Sequence, residues 1–223
     1  MNEIERLVRK AKHPVALTGA GISAPSGIPT FQGTWKGRPI RDFLSRTYFR
    51  RHTVEFFELF VEMQSWCDKS PNAAHRALAA LNIPVITQNI DGLHEKAGTK
   101  ELYMLHGTLH TVRCADCGKR QSAAEFAGAL RPLYEAGDIA AIEKMLRCPH
   151  CAGAMDTDVV LYEDAVQHLY DAIRLSEQAD LMLVIGTSLS TYPAASLPDI
   201  ARRHGAEIIE INEDCIAALE GIV

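Results

Sequence analysis

Four short, apolar-rich runs constrain this chain most. They are Pro14-Val15-Ala16-Leu17-Thr18, Pro84-Val85-Ile86-Thr87, the segment Ala179 to Gly186, and the segment Glu207 to Asn212. Runs of this length suit strands buried on both faces. The stretches between them carry helical spacing over Asn72 to Leu81, Val166 to Gln178 and Ala194 to His204. Pro71 and Pro193 stand at or near two helix starts, where a missing N–H costs little. The N-terminus reads as an amphipathic helix through Ile4, Leu7, Val8 and Ala11. Strands alternating with helices in this way predict an α/β fold: a Rossmann-type parallel sheet with helices on both faces.

An insert breaks the alternation. It runs from about Thr108 to about Met155 and has a helical middle, Ser122 to Leu146. It carries Cys114-Ala115-Asp116-Cys117 and Cys148-Pro149-His150-Cys151. Two such knuckles offer four thiolates, which suit a closed tetrahedral zinc site. Cys114, Cys117, Cys148 and Cys151 leave no open position on the metal, so its role is to hold a small lobe together. A redox pair is the competing reading, and two pairs in one insert favour the metal. The expected division is a discontinuous Rossmann-type sheet domain over 1–107 and 156–223, and a zinc module over 108–155. A helical, partly mobile segment is expected over 31–70.

The net charge is −5 and the pI about 6.0, without the basic stripe of a nucleic-acid binder, so no nucleic-acid partner is expected. No eighteen-residue apolar stretch is present, so neither is a membrane partner. The N-terminus lacks the apolar core of a signal peptide. Thiols at metal spacing suit a reducing compartment, and a cytoplasmic location is expected.

The first strand is followed by Thr18-Gly19-Ala20-Gly21-Ile22-Ser23, then Ala24-Pro25-Ser26-Gly27-Ile28-Pro29. Small residues in a turn from strand into helix let backbone N–H groups approach a pyrophosphate, with the helix dipole assisting. Position 24 holds alanine where a third glycine would complete the usual fingerprint. The second strand ends in Thr87-Gln88-Asn89-Ile90-Asp91-Gly92-Leu93-His94, and Leu105-His106-Gly107 follows. Amide and carboxylate groups at such a strand end can bind a carboxamide and a ribose. Asn and Asp there also serve as ordinary loop caps. Neutral imidazole is basic near pH 7, so a histidine can serve as a general base, but any one of the nine here is by itself more often a surface or core residue.

Taken together and in this order, these motifs resemble the sirtuins, NAD-dependent protein lysine deacylases, from about residue 13 to about residue 212. The resemblance implies NAD as co-substrate, structural zinc, and acylated lysine on protein substrates as the partner. It implies that nicotinamide leaves, the acyl group passes to ADP-ribose and free lysine is released, so NAD is consumed and transfers no hydride. It assigns His106 as the base acting on a ribose hydroxyl. It places Asn89 and Asp91 in the nicotinamide pocket, Gln88 near the adjoining ribose, and Gly19, Ala20, Gly21, Ser23 and Ala24 in the phosphate turn. Gly186, Thr187 and Ser188 match a ribose and phosphate contact, and Asn212 an adenine-ribose contact. Ile90, Val160 and Tyr162 match substrate contacts, the segment Asp158 to Asp164 being expected to add a strand to the peptide. ADP-ribosyl transfer or NAD hydrolysis is an alternative outcome, and a non-catalytic NAD or ADP-ribose binder a third.

The chain departs from the family pattern in several places. Thr30-Phe31-Gln32 stands where Asp-Phe-Arg is usual; Phe31 is kept and can shield the reactive sugar. Glu163 stands where glycine is usual. Glu213 to Val223 follow Asn212, a shorter stretch than in most sirtuins, so the adenine end is expected to be more open or closed by another subunit. Succinyl-preferring sirtuins carry a Tyr-x-x-Arg pair that binds the acyl carboxylate. Phe57 and Phe60 stand at the matching positions, which predicts an apolar acyl pocket and a preference for uncharged acyl groups.

Overall fold

The computed structural model describes residues 2–30 and 33–222. Its strands are β1 Pro14–Thr18, β2 Thr34–Trp35, β3 Arg38–Pro39, β4 Val85–Thr87, β5 Leu102–Met104, β6 Gly107–Cys114, β7 Arg120–Ser122, β8 Met155–Val159, β9 Leu181–Ile185 and β10 Glu207–Ile211. Its helices are α1 Glu3–Lys10, α2 Arg46–Arg51, α3 Thr53–Cys67, α4 Ala73–Leu81, α5 Leu93–Ala97, α6 Ala123–Ala136, α7 Ile139–Met145, α8 Leu169–Gln178, α9 Leu197–Arg203 and α10 Cys215–Ala218. The chain forms two compact units. The first comprises Met1–Thr30, Lys69–His106 and Val166–Val223, and the second Phe31–Asp68 and Gly107–Ala165.

The first unit is built on a parallel sheet in the order β10-β9-β1-β4-β5. Its strands alternate inward on both faces, because side chains along a strand point to opposite sides. Ala16, Val85, Leu181, Leu183 and Ile185 pack on one face with Val8 of α1, Ala74 and Leu78 of α4, and Cys215 and Leu219. Val15, Leu17, Ile86, Met182 and Val184 pack on the other with Ala172 of α8 and Leu197 and Ala201 of α9. The parallel sheet covered on both faces is therefore present, with β5 as a short edge strand that has no clear run in the sequence. Local signals set the ends of α4. The Asn72 side chain accepts from Ala74 N–H at its start, an alanine-rich run carries it, and left-handed Asn82 stops it.

In the second unit β7, β6 and β8 form an antiparallel sheet, and β2 pairs with β3. Its core is aromatic. Phe57 lies 5.5 Å from Phe126 of α6, and edge-on contacts join it to Phe49, Phe56 and Phe60. Phe57 and Phe60 are both fully buried. They act as core residues of this unit, which corrects the expectation that they line an acyl pocket. The helix expected from Ser122 to Leu146 divides at Gly137, whose φ of 66° caps α6 before Asp138 caps α7.

Candidate nucleotide site and four-cysteine centre

The turn after β1 is tighter than expected. It is two single 3₁₀ turns, Ala20–Ile22 and Ala24–Ser26, in place of the opening of an α-helix. Pro25 has no N–H to continue a helical ladder from the first turn, which explains the break. The helix-dipole contribution expected there is correspondingly absent. What remains is close backbone packing. Gly21 N–H donates to the Gly186 carbonyl at 2.8 Å, and Gly19 N–H to that of Ile185 at 3.0 Å. A Cβ on Gly21 would sit 2.7 Å from Gly186 Cα. Gly186, at φ 62°, would in turn press a Cβ to within 2.2 Å of Ile22 N. Two loops from the ends of β1 and β9 thus touch through backbone alone, the kind of surface a pyrophosphate can approach.

The ends of β1, β4, β9 and β10 bring most of the expected site residues together in the first unit. Gln88 Nε2 donates to Thr187 Oγ1 at 2.9 Å, and Thr187 N–H to Asn212 Oδ1 at 3.1 Å. This places hydroxyl and amide groups of the type a ribose requires beside the glycine turn. Ser188 is exposed and shares a hydrogen bond with Ser190 at 3.0 Å. Asn89 Nδ2 donates to the Gly19 carbonyl at 3.1 Å and to Ser23 Oγ at 3.0 Å. Ser23 Oγ donates to Asp91 Oδ2 at 2.7 Å, and Leu93 N–H to Asp91 Oδ1 at 2.9 Å. Ser23, Asn89, Ile90 and Asp91 are buried, Ala20 is half-buried and Ala24 exposed. Phe31 and Gln32 lie outside the described residues.

His106 Nδ1 lies 3.0 Å from the Gln88 carbonyl oxygen. A carbonyl only accepts, so Nδ1 carries the proton and Nε2 keeps its lone pair. Burial pushes the imidazole below its ordinary pKa, against the raising effect of the Gln88 contact. The ring is a neutral base at pH 7 with its basic nitrogen already defined.

Behind this front lies a polar network that sequence reasoning passed over. Thr18 Oγ1 contacts Thr87 Oγ1 at 2.8 Å and His94 Nε2 at 2.9 Å. His75 Nε2 stands 3.4 Å from Ser23 Oγ, and the His75 and His94 rings meet edge to face at 4.9 Å. All of these side chains are buried. The available signal was their position: His75 sits on the first turn of α4, and His94 closes the octapeptide that begins at Thr87.

In the second unit the Sγ atoms of Cys114, Cys117, Cys148 and Cys151 all lie within 4.8 Å of one another. Cys114 and Cys151 are 3.5 Å apart and Cys117 and Cys148 3.7 Å, too far for disulfides. Zinc–sulfur bonds of about 2.3 Å set tetrahedral sulfurs roughly 3.8 Å apart, so the donor set and its spacing fit zinc. Backbone N–H groups of His150 and Cys151 hold the Cys148 thiol low, while the neighbouring thiols push Cys151 up, so the cluster needs a cation to hold all four sulfurs as thiolates.

The segment expected to form a strand from Asp158 to Asp164 is shorter than that. β8 ends at Val159. Tyr162 N–H donates to the Leu44 carbonyl at 2.9 Å, and the Tyr162 carbonyl accepts from Arg46 N–H at 3.0 Å. Both backbone groups of Tyr162 are occupied, so its ring, 47% exposed, is what it can offer a peptide. Val160 is half-buried. Glu163 has φ 80°, and its carboxylate accepts from Thr47 N–H at 3.0 Å and Thr47 Oγ1 at 2.7 Å. Arg46 fixes this segment further, with a two-pronged contact to Asp164 at 2.7 and 2.8 Å and one to Asp156 at 2.7 Å. Burial pushes the Asp164 carboxyl up, but Arg46 and the Leu161 N–H outweigh it and hold it low.

A model of the Sir2 family matches residues 19–193. The NAD-dependent protein deacetylase of Clostridium acetobutylicum is 35% identical, over 97% of this chain and 89% of that protein. The NAD-dependent protein deacylase of Thermococcus kodakarensis is 37% identical, over 93% of this chain and 82% of that protein. A solved structure of Sir2 with a p53 peptide and NAD superposes with a TM-score of 0.83 at 31% identity, covering 98% of this chain and 95% of that one. The match spans the glycine turn, the Gln88–Asp91 loop, His106 and all four cysteines, and this chain belongs to the Sir2 family.

Proposed function

We propose that this chain is an NAD-dependent protein lysine deacylase that releases nicotinamide and moves the acyl group of an acyl-lysine onto ADP-ribose. The single observation that carries the reading is the His106–Gln88 contact, because it leaves a neutral imidazole with a free Nε2 in the unit that also holds the glycine turn. NAD, when bound, supplies an electrophilic ribose carbon that accepts the acyl oxygen as nicotinamide departs.

Each group on the chain has a task in that scheme. Gly19, Ala20 and Gly21, with Ser23 and Ala24 behind them, hold the phosphates close to backbone. Gln88, Gly186, Thr187, Ser188 and Asn212 orient the riboses through hydroxyl and amide contacts. Asn89 and Asp91 bind the carboxamide, the amide donating and the carboxylate accepting. His106 Nε2 takes the proton from a ribose hydroxyl, which general-base catalysis makes worth roughly 10²–10⁴ in rate. Ile90, Val160 and the ring of Tyr162 contact the acyl-lysine peptide, and Phe31 shields the sugar from water. The four cysteines hold zinc as a structural element of the second unit. Among the described residues no helix is long and apolar enough to cross a membrane. Paired thiols at metal spacing suit a cytoplasmic setting.

Incubation with NAD and an acetylated peptide tests the reading by its products. Free lysine together with acetyl-ADP-ribose supports it. Modified protein would indicate ADP-ribosyl transfer, ADP-ribose with intact peptide would indicate hydrolysis, and unchanged NAD would indicate a binder; any of these alone overturns it.

A further inference from the structure

The Ser23 hydroxyl has more neighbours than its one proton can serve as donor, and the count fixes the state of a buried histidine. Both oxygens of the Asp91 carboxylate accept: Oδ1 from Leu93 N–H at 2.9 Å and Oδ2 from Ser23 O–H at 2.7 Å. Ser23 Oγ itself accepts from Asn89 Nδ2 at 3.0 Å. One lone pair is left, and His75 Nε2 faces it at 3.4 Å. Two lone pairs facing each other would repel, so Nε2 must bear the hydrogen. His75 Nδ1 is then an unprotonated acceptor, and it is buried with no hydrogen-bond partner among the described residues.

Placement supports the same assignment. Asn72, at the start of α4, donates through Nδ2 to the Ile22 carbonyl at 2.8 Å and to Ser26 Oγ at 3.0 Å. This docks the first turn of α4 on the glycine turn and aims His75 at Ser23. Burial lowers the His75 pKa to about 4, with Arg76 adding to the effect, so the ring is neutral at pH 7. The neighbouring His94 ring is likewise lowered, to about 3, by burial and then by His75.

We propose that His75 is a positioning residue: its Nε2–H holds the Ser23 hydroxyl on Asp91 and so orients the carboxylate that receives the NAD carboxamide. The inference rests on the reading that Asn89 and Asp91 bind that carboxamide. Loss of the His75 donor removes one of the two hydrogen bonds that Ser23 Oγ accepts, Asn89 Nδ2 keeping the other, so the hydroxyl is held less firmly on Asp91, and the cost falls on NAD and not on the peptide.

Nitrogen-15 correlation spectra of the histidine rings in the wild-type protein alone, assigned with His75→Ala, test the tautomer without any turnover. An Nε2–H signature for His75 is expected; Nδ1–H overturns the proposal. Calorimetric titration with NAD is the second arm. His75→Ala should weaken binding about tenfold, the size of one lost hydrogen bond in a buried network. His75→Gln, whose amide N–H reaches to a similar point, should restore it to within about threefold. In a Ser23→Ala background, His75→Ala should add nothing further. Additive losses, a glutamine that fails to rescue, or unchanged binding in His75→Ala each overturn it. Kinetically, the KM for NAD should rise in His75→Ala while the KM for the peptide stays within about twofold; equal rises indicate general damage and overturn the proposal. Should the wild-type protein bind NAD but not deacylate, the functional reading fails while the tautomer and binding results still decide the role of His75.

Discussion

The Nδ1 atom of His106 donates its hydrogen to the Gln88 carbonyl oxygen across 3.0 Å. One hydrogen bond thus sets both the tautomer and the direction of the ring, and it ties the base to the loop that carries Asn89 and Asp91. The neighbouring amide of Gln88 is itself anchored on Thr187 at 2.9 Å. A ring held by the backbone of that loop moves with the loop.

The first prediction follows from that contact. His106→Ala should lower deacylation by about 10²–10⁴ while nicotinamide exchange with bound acyl substrate persists, because the base acts after nicotinamide leaves. For the wild-type protein the sign with pH is fixed by burial, which lowers the His106 pKa. The working form is neutral, so kcat stays flat near pH 7 and falls as pH drops through the lowered value. The midpoint of that acid limb should lie below the ordinary histidine value of about 6.5. A midpoint above it, or full activity in the alanine variant, would place the base elsewhere.

Removal of the metal is the second. Once the cation is gone, the four sulfurs within 4.8 Å of one another take up protons and lose the partner that held them together. Chelation or Cys148→Ser should therefore lower the apparent melting temperature and abolish activity by loosening the second unit. Metal analysis of active, folded protein should give zinc near one equivalent per chain, and its absence there would refute the assignment.

Glu163 separates backbone strain from side-chain capping. Its φ of 80° disfavours any side chain by roughly 1–2 kcal/mol. Its two contacts to Thr47 are solvent-exposed, and each returns about 1 kcal/mol or less. Glu163→Ala keeps the strain and loses the contacts, so it should destabilise by about 1 kcal/mol. Glu163→Gly removes both, so it should be at least as stable as the parent. Thermal melts in which alanine equals or exceeds glycine would show that the strain is not present.

The acyl group gives the fourth. Phe57 and Phe60 are core residues of the second unit, so these two positions supply no phenol or guanidinium to an acyl carboxylate. An unpaired buried carboxylate costs several kcal/mol. On matched peptides kcat/KM should favour acetyl-lysine over succinyl-lysine by at least about tenfold. Phe57→Ala should cost about 3 kcal/mol or more in stability without reversing that order. Equal turnover of the two peptides would mean that a cation elsewhere receives the succinyl group.

Local chemistry made much of this protein legible from its residues. Strands β1, β4, β9 and β10 were readable because two-sided burial leaves apolar runs that need no knowledge of their neighbours. The cysteine centre was readable because two short knuckles bring donors together in pairs before any long-range folding. His106 was readable only within a motif, since a histidine carries no periodic signal of its own. Tertiary structure decided the rest. Gly186 shows why it is glycine only when Gly21 is seen against it. The Ser23 hydroxyl meets His75 and Asp91 across 52 and 68 positions of chain, a relation no spacing rule reports. Tyr162 loses its backbone to Leu44 and Arg46, and Phe57 and Phe60 enter a core, because those partners arrive from distant segments. Sequence fixes which groups are available and how the backbone prefers to run locally. Hydrogen-bond direction, burial and the free lone pair of a base depend on which distant groups meet, and that is settled only when the chain closes on itself.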